Sequence, residues 1–287
     1  MEKQIVFFDV DGTLLHHEDR KIPESAKQAI HELQQKGIST VISTGRIPAY
    51  FSSIRKELRI DSYISINGQY VVYEGEVIYD NPIALEHLEE LAGEAFSRNH
   101  AVAFCSSKGI GTKDLGHPHI VTSFGELLME YPVIHSRYYK EHAIYQALLF
   151  CTEDEEHVYR ERFPQFDFVR WHEVAMDVLP KGCSKAKGIE IMLDKLNIPA
   201  QHAYAFGDGR NDIEMLSLVG HGIAMGNAVP ELKRVADYVT APIGEDGIRK
   251  GLKAMGLIDN GEKRFQSLLY RQGRGRKPLE VQFLPTE

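Results

Sequence analysis

Apolar runs and amphipathic segments alternate at the start of the chain. Residues 4–10 form a β-branched and aromatic run that ends in Asp-Gly, which is typical of a buried strand entering a loop. Apolar residues at helical spacing follow between Pro23 and Gly37, and the next apolar run, residues 39–42, is again typical of a strand. The order strand, helix, strand predicts a parallel sheet.

The alternation continues through residues 63–66 and then gives way to a hairpin. Residues 70–73 and 77–79 are strand-like, and Glu74-Gly75 between them favours a tight turn. From residue 82 to residue 180 the pattern changes to helices mixed with strands that favour antiparallel pairing, which is typical of a separate α+β domain. Predicted helices there cover residues 85–99 and 153–162, and predicted strands cover 101–105, 144–151, 166–171 and 175–179.

The alternation of strand and helix returns after Lys181-Gly182. Predicted helices cover residues 189–196 and 213–219, and predicted strands cover 202–206, 222–225 and 238–240. We therefore predict an α/β fold in which a Rossmann-like parallel-sheet core, residues 1–81 and 181–258, is interrupted by an α+β cap domain, residues 82–180. Residues 259–287 show no sustained periodicity, and we expect a C-terminal tail outside the fold.

The composition excludes several classes of protein. With 43% hydrophobic and 26% charged residues, the 287-residue chain can bury a sizeable core. Its net charge of -8 argues against nucleic-acid binding, and no apolar run reaches the roughly 18 residues of a membrane span. Cys105, Cys151 and Cys183 are too widely spaced for a disulfide framework or a Cys-x-x-Cys metal site. We expect a cytoplasmic protein that acts on a small molecule, with its oligomeric state open.

The strongest chemical signal is the segment Asp9-Val10-Asp11-Gly12-Thr13-Leu14, which lies where the first strand ends. In open α/β sheets, ligands bind at the carboxyl ends of the strands. Asp and Gly are also ordinary turn residues, so the alternative is an Asp-rich turn without function. Matching carboxylates elsewhere in the chain favour the functional interpretation.

A second acidic segment, residues 207–212 with the sequence Gly-Asp-Gly-Arg-Asn-Asp, follows the predicted strand 202–206. Its carboxylates would meet those of the first segment at the same sheet edge. Like charges 4 Å apart repel by about 4 kcal/mol at an effective dielectric of 20, so this crowding implies a divalent cation. Oxygen ligands of this kind suit Mg²⁺, which we expect as the cofactor. The predicted metal-site residues are Asp9, Asp11, Asp208 and Asp212.

Thr44 and Lys185 complete the candidate chemistry. Thr44 ends the second predicted strand, and Lys185 precedes a predicted helix. Each alone has an ordinary interpretation, as a strand-end hydroxyl or as a solvated residue in a first helical turn. Together they offer a hydroxyl donor and a fixed positive charge for the oxygens of a phosphoryl group.

In this order, the four segments resemble the four motifs of the haloacid dehalogenase superfamily: Asp9-x-Asp11-Gly12-Thr13, Thr44, Lys185 and Gly207-Asp208-Gly209-x-Asn211-Asp212. More narrowly, the chain is similar to the Cof-type phosphatases, which have a type IIB cap, over roughly residues 1–258. Thirty-five positions separate Asp9 from Thr44, whereas 141 separate Thr44 from Lys185. This spacing places a large cap between the second and third motifs, as in the Cof-type branch.

The resemblance implies a role for each matching residue. Asp9 would attack phosphorus, and Asp11 would protonate the leaving oxygen and later deprotonate the hydrolytic water. Mg²⁺ would be held by Asp9, the Asp11 main-chain carbonyl and Asp208, with support from Asp212 and Asn211. Thr44 and Lys185 would hold the phosphoryl oxygens, and Arg46 can form a fork to phosphate. The expected substrate-binding residues are Thr44, Gly45, Arg46, Lys185 and Asn211.

These features predict a magnesium-dependent phosphatase that hydrolyses a small phosphorylated metabolite, of the sugar phosphate, FMN or pyridoxal phosphate class, through an aspartyl-phosphate. Two alternatives stay open: a phosphomutase of the phosphomannomutase-like type and a non-catalytic sensor of phosphometabolites. A zinc site is disfavoured because His117-x-His119 lacks a third ligand at useful spacing. A dinucleotide-binding dehydrogenase is disfavoured because no Gly-x-Gly-x-x-Gly follows the first strand.

Overall fold

The computed structural model describes residues 3–127 and 129–259. In chain order, the strands are β1 (Ile5–Phe8), β2 (Ser39–Ser43), β3 (Tyr63–Ser65), β4 (Tyr70–Tyr73), β5 (Glu76–Asp80), β6 (Ala101–Ser106), β7 (Ile110–Thr112), β8 (Val133–Ile134), β9 (Ile144–Phe150), β10 (Phe166–His172), β11 (Ala175–Pro180), β12 (Ala203–Gly207), β13 (His221–Ala224) and β14 (Tyr238–Val239). The α-helices are α1 (Glu24–Gln35), α2 (Ser52–Leu58), α3 (Leu85–Ser97), α4 (Pro118–Glu126), α5 (Tyr138–Glu141), α6 (His157–Arg162), α7 (Lys185–Leu196), α8 (Ile213–Leu218), α9 (Pro230–Val235) and α10 (Gly247–Ala254).

An eight-stranded sheet forms the core, in the order β14-β13-β12-β1-β2-β3-β4-β5. The strands from β14 to β3 are parallel, and β4 and β5 add an antiparallel hairpin at one side. In the middle, Ile5 of β1 pairs with Ala203 of β12 and with Ser39 of β2. All of β1 is buried, as expected for a parallel strand covered on both faces. The predicted α/β core and its hairpin are confirmed.

Helix α1 shows how the sequence pattern builds the layers around this sheet. Its buried residues are Ala26, Ala29, Ile30 and Leu33, which recur at the three- and four-residue spacing of one helix face. These side chains belong to the same apolar cluster as the strands of the eight-stranded sheet. Packing against the sheet stabilises a helix of this length, because short isolated helices are marginal in water.

A six-stranded sheet forms the cap, in the order β10-β11-β9-β6-β7-β8. One face packs against α3 and α6 through residues such as Leu88 and Tyr159. The other face, which includes Leu148, packs against Ile47 and Ile66, which follow β2 and β3. The cap therefore covers the carboxyl edge of the core sheet. The predicted α+β cap is confirmed, and its boundaries at residues 82 and 180 stay a prediction.

The structure adds α2, α4, α5, α9 and α10, which the sequence pattern did not predict. In α4, Pro118 occupies the first helical turn, and the His117 side chain accepts a hydrogen bond from the backbone N–H of His119. His117-x-His119 therefore belongs to a helix cap. The predicted tail beyond Asp259 lies outside the described residues. Within the described ranges, the helices are all too short or too polar to cross a membrane.

Candidate active site

The candidate site lies at the carboxyl edge of the core sheet, where β12, β1 and β2 run side by side in parallel. Asp9 directly follows β1, Thr44 follows β2, and Asp208 follows β12. The chain leaves β1 toward β2 on one side, whereas β12 lies on the other side. The crevice therefore falls where the strand order reverses, which is the usual ligand position in such sheets. Lys185 reaches the crevice from the first residue of α7.

Lys185 is buried between two carboxylates. Its Nζ donates hydrogen bonds to Asp9 Oδ1 at 2.5 Å and to Asp212 Oδ1 at 2.7 Å, and only 1% of the residue is exposed. Burial alone would lower the pKa of Lys185, but the charges of Asp9 and Asp212 outweigh it and raise the pKa above its ordinary value. Lys185 is therefore a fixed positive charge anchored beside Asp9.

The carboxylates around Lys185 are crowded. Asp9, Asp208 and Asp212 each offer one oxygen, and these oxygens lie within 4.8 Å of one another. Burial, together with repulsion from Asp212 and Asp208, raises the pKa of Asp9 to about 8, and Lys185 limits that rise. Burial and the charge of Asp212 likewise raise the pKa of Asp208 to about 6. One ammonium does not neutralise three carboxylates, so a cation among them would stabilise their charged forms.

The donor set of this acidic cluster fits a hard divalent cation. Carboxylate oxygens suit Mg²⁺, whereas zinc sites are usually built from His and Cys. Within the cluster, Asp212 Oδ2 accepts the backbone N–H groups of Asp208 and Gly209, both at 3.0 Å, while its Oδ1 binds Lys185. Asp212 therefore fits a supporting position. Asp9 and Asp208 are the carboxylates better able to turn an oxygen toward a metal.

The loop after β1 is held close to Asp208. Gly12 has a φ of +82°, and Thr13 Oγ1 donates a hydrogen bond to Asp208 Oδ1 at 3.2 Å. Asn227 Nδ2 donates to the Gly12 carbonyl at 2.8 Å, and Asn227 Oδ1 accepts the backbone N–H of Ile243 at 2.9 Å. Sequence reasoning missed Asn227. The sequence did contain a clue: Asn227 is a polar residue shortly after β13, and the ends of the parallel strands form the sheet edge that carries the acidic residues.

Asp11 and Arg46 form an ion pair beside the acidic cluster. Arg46 Nε donates to Asp11 Oδ2 at 2.8 Å, and Arg46 Nη2 donates to Asp11 Oδ1. The backbone N–H of Arg46 donates to Thr44 Oγ1 at 3.1 Å, and Arg46 Nη1 donates to the Tyr50 carbonyl at 3.3 Å. The structure thus brings Asp11, Thr44 and Arg46 together. The Asp11 carboxylate is paired with Arg46, so the main-chain carbonyl of Asp11 is the group of this residue that fits a metal ligand, as the resemblance implies.

Gly45 and Asn211 are the remaining predicted substrate-binding residues. A Cβ added to Gly45 would lie 3.2 Å from Asn67 Oδ1, so this glycine faces the Asn67-Gly68 turn. Asn211 is exposed, and its Oδ1 lies beside Gly209. The substrate-binding roles of Gly45 and Asn211 stay predictions.

The sequence matches the family of haloacid dehalogenase-like hydrolases over residues 6–252. The chain belongs to this family. It is 45% identical, over 258 residues, to the Bacillus subtilis protein named "Putative phosphatase YkrA"; the match covers 90% of this chain and 100% of that relative.

Two solved structures share the fold at substantial sequence identity. The crystal structure of a hypothetical protein from Geobacillus kaustophilus HTA426 is 49% identical, with a TM-score of 0.86, over 89% of this chain and 100% of that chain. The subclass IIB sugar phosphatase BT4131 is 34% identical, with a TM-score of 0.74, over 89% of this chain and 100% of that chain. The resemblance to capped phosphatases that the four motifs indicated is confirmed.

We expect Gly12→Ala to damage the site more than its backbone conformation alone explains. A Cβ at Gly12 would lie 2.1 Å from Asp208 Oδ2, so the carboxylate must move. Gly37→Ala is the matched control, because Gly37 has a φ of +75° and a Cβ there meets nothing within 4 Å. Both variants should lose about 1 kcal/mol of unfolding free energy through the left-handed backbone.

Only Gly12→Ala should also lose phosphatase activity, by about 10- to 100-fold, because a small displacement of a site residue is enough to cost that much. Urea unfolding measures the stability of both variants, and phosphate release measures their activity. Equal activity in the two variants would show that the close approach of Gly12 to Asp208 has no catalytic importance.

Proposed function

We propose that the chain is a magnesium-dependent phosphatase that hydrolyses a small phosphate monoester through an aspartyl-phosphate intermediate. One observation carries the proposal: the Lys185 ammonium anchors one oxygen of Asp9 inside the acidic cluster. The second oxygen of Asp9 is then the one that can attack phosphorus. A carboxylate nucleophile divides a difficult hydrolysis into two easier steps.

Asp9, Asp208 and the main-chain carbonyl of Asp11 are the proposed ligands of Mg²⁺, and Asp212 would orient the loop around them. When bound, the ion would supply positive charge that offsets the repulsion between these carboxylates and the substrate phosphate. The raised pKa values of Asp9 and Asp208 support this assignment. Both carboxyl groups ionise with difficulty beside Lys185 alone, and a bound divalent cation would stabilise their charged forms.

The proposed reaction has two steps. In the first, Asp9 attacks phosphorus, the bond between phosphorus and the leaving oxygen breaks, and Asp11 gives that oxygen a proton. In the second, Asp11 takes a proton from a water molecule, which attacks phosphorus and releases Asp9 and inorganic phosphate. Lys185 and Thr44 would bind the phosphoryl oxygens. Arg46, which bonds both carboxylate oxygens of Asp11, would orient this acid and base.

The proposed substrate is a small metabolite of the sugar phosphate, FMN or pyridoxal phosphate class. The cap covers the carboxyl edge of the core sheet, which favours a small substrate over a macromolecular one. BT4131, at 34% identity, is described as a sugar phosphatase, which makes a sugar phosphate one candidate for this chain.

Phosphate release from glucose 6-phosphate, FMN, pyridoxal 5′-phosphate and para-nitrophenyl phosphate tests the proposal. We expect release with Mg²⁺, a loss of at least about 100-fold with EDTA, and recovery when Mg²⁺ is restored. Asp208→Asn should raise the Mg²⁺ concentration needed for half-maximal rate by about 10-fold or more. A rate that EDTA leaves unchanged contradicts the magnesium requirement. An isomerised sugar phosphate in place of free phosphate indicates a phosphomutase.

A further inference from the structure

A cavity of about 230 Å³ lies between the cap and the loop that follows β2. Arg46, Ile47 and Tyr50 line it from the core, and residues of β6, β7, β9, β10 and β11 line it from the cap. Arg46 also holds the carboxylate of Asp11, so the cavity adjoins the proposed acid and base. It is therefore positioned to receive the part of the substrate that departs when phosphate is removed.

The walls of this cavity are mostly apolar. Ile47, Ile110 and Leu148 belong to the apolar cluster that joins the cap to the core, and Tyr50 and Trp171 pack against that cluster. Such walls offer dispersion and stacking contacts to a flat ring. The aliphatic side chains among them offer no hydrogen-bond partner, so a ligand hydroxyl that faces them would lose water without compensation.

Two side chains place acceptor oxygens in the apolar cavity. Gln146 is 7% exposed, and its Oε1 has no hydrogen-bond partner among the described residues. Asp177 lies on the adjacent strand, in register with Leu148. Burial raises the pKa of Asp177 to about 7, and the neighbouring Trp171 and Gln146 side chains limit the rise. Gln146 Oε1 is therefore a buried acceptor without a donor, which is costly, and an N–H group on the ligand is its complement. Asp177, which already interacts with Trp171 and Gln146, offers a second acceptor beside it.

Building on the proposed phosphatase function, we propose that Asp177 and Gln146 determine specificity by accepting hydrogen bonds from a compact nitrogen-containing aromatic leaving group. The cavity lies below the roughly 300–1,000 Å³ of pockets for larger ligands, which favours a single ring over a tricyclic flavin. A hexose would fit by size. Most of its hydroxyls would face apolar residues such as Ile47 and Leu148, whereas a flat ring with one or two N–H groups matches both walls and acceptors.

The test compares pyridoxamine 5′-phosphate, whose single ring carries a ring nitrogen and an amine, with glucose 6-phosphate and para-nitrophenyl phosphate. We expect the unaltered protein to show a kcat/KM at least about 10-fold higher for pyridoxamine 5′-phosphate than for glucose 6-phosphate. When measured at a pH above the pKa of Asp177, the ratio of kcat/KM for pyridoxamine 5′-phosphate to that for para-nitrophenyl phosphate should fall about 10- to 100-fold in Asp177→Asn, because a charged acceptor becomes neutral.

Gln146→Leu should lower the same ratio by about 3- to 10-fold, and it tests the cavity independently if Asp177→Asn does not fold. Asp154→Asn is the matched control, since Asp154 is an exposed cap residue outside the cavity, and it should leave the ratio unchanged. An unchanged ratio in both cavity variants, or a preference of the unaltered protein for glucose 6-phosphate, overturns the proposal.

If the unaltered protein releases phosphate from none of the three compounds, the proposed phosphatase function fails, and binding then decides the role of the cavity. Isothermal titration of the unaltered protein with pyridoxamine 5′-phosphate should show tighter binding than with glucose 6-phosphate. That binding should weaken about 10-fold in Asp177→Asn. Equal binding of the two compounds overturns the assignment of the cavity.

Discussion

Replacing Asp9 by asparagine should abolish phosphate release, with kcat falling at least about 10³-fold. Asparagine has nearly the same shape as aspartate, but its amide is a far weaker nucleophile than a carboxylate. The change also removes the negative charge that binds Lys185 Nζ and that the proposed Mg²⁺ site requires. Steady-state release of phosphate from para-nitrophenyl phosphate with saturating Mg²⁺ measures the loss.

Asp61→Asn is the matched control for this variant. Asp61 lies two residues before β3, at the opposite edge of the core sheet, and its side chain is 78% exposed, so the same substitution there should leave kcat unchanged. Circular dichroism should show that both variants are folded. A folded Asp9→Asn protein that keeps more than about a tenth of the parental kcat would remove Asp9 from the nucleophile role.

Lys185→Met should destabilise the fold as well as inactivate the enzyme. The side chain is buried, and it is the cation shared by Asp9 and Asp212. Removing one partner of a buried ion pair leaves uncompensated charge, so the free energy of unfolding should fall by about 3–5 kcal/mol. Activity should fall at least about 100-fold, because the fixed charge for the phosphoryl oxygens is lost. Urea unfolding and phosphate release measure these effects.

Lys187→Met provides the comparison on the same helix. Lys187 is 54% exposed and pairs with Glu190 at the surface, so its loss should change the unfolding free energy by no more than about 0.5 kcal/mol. Added Mg²⁺ should recover part of the stability lost in Lys185→Met, because it would bind among the same carboxylates. Equal stability of the two variants would mean that Lys185 does not balance the buried acidic cluster.

The sequence is sufficient to locate most of the candidate site. Asp9, Thr44 and Asp208 each follow an apolar run, and parallel pairing of β12, β1 and β2 necessarily brings their carboxyl ends to one edge. The burial of Lys185 is harder to predict, because a lysine in a first helical turn is usually solvated. Its burial depends on where α7 begins relative to Asp9 and Asp212, which is a property of the assembled core.

Contacts between distant segments could not be predicted from the pattern. Asn227 bonds the carbonyl of Gly12 across 215 positions of sequence, and Arg46 turns the carboxylate of Asp11 toward itself. Asp177 reaches the cavity only because β11 pairs with β9 in one register, and a slip by one residue would turn it to the opposite face. Local periodicity specifies elements, whereas these contacts depend on how the elements pack.

The interruption of the core by the cap has a consequence for how the protein is made. β1 lies between β2 and β12, yet β12 begins at Ala203, so the nascent chain carries β1 with one edge unpaired while the cap is synthesised. At about 5–20 residues per second, synthesis from Phe8 to Ala203 takes roughly 10–40 s. The Ile-Val-Phe-Phe sequence of β1 is prone to pair with other chains. Chaperones at the ribosome would therefore be needed most before the second half of the core emerges.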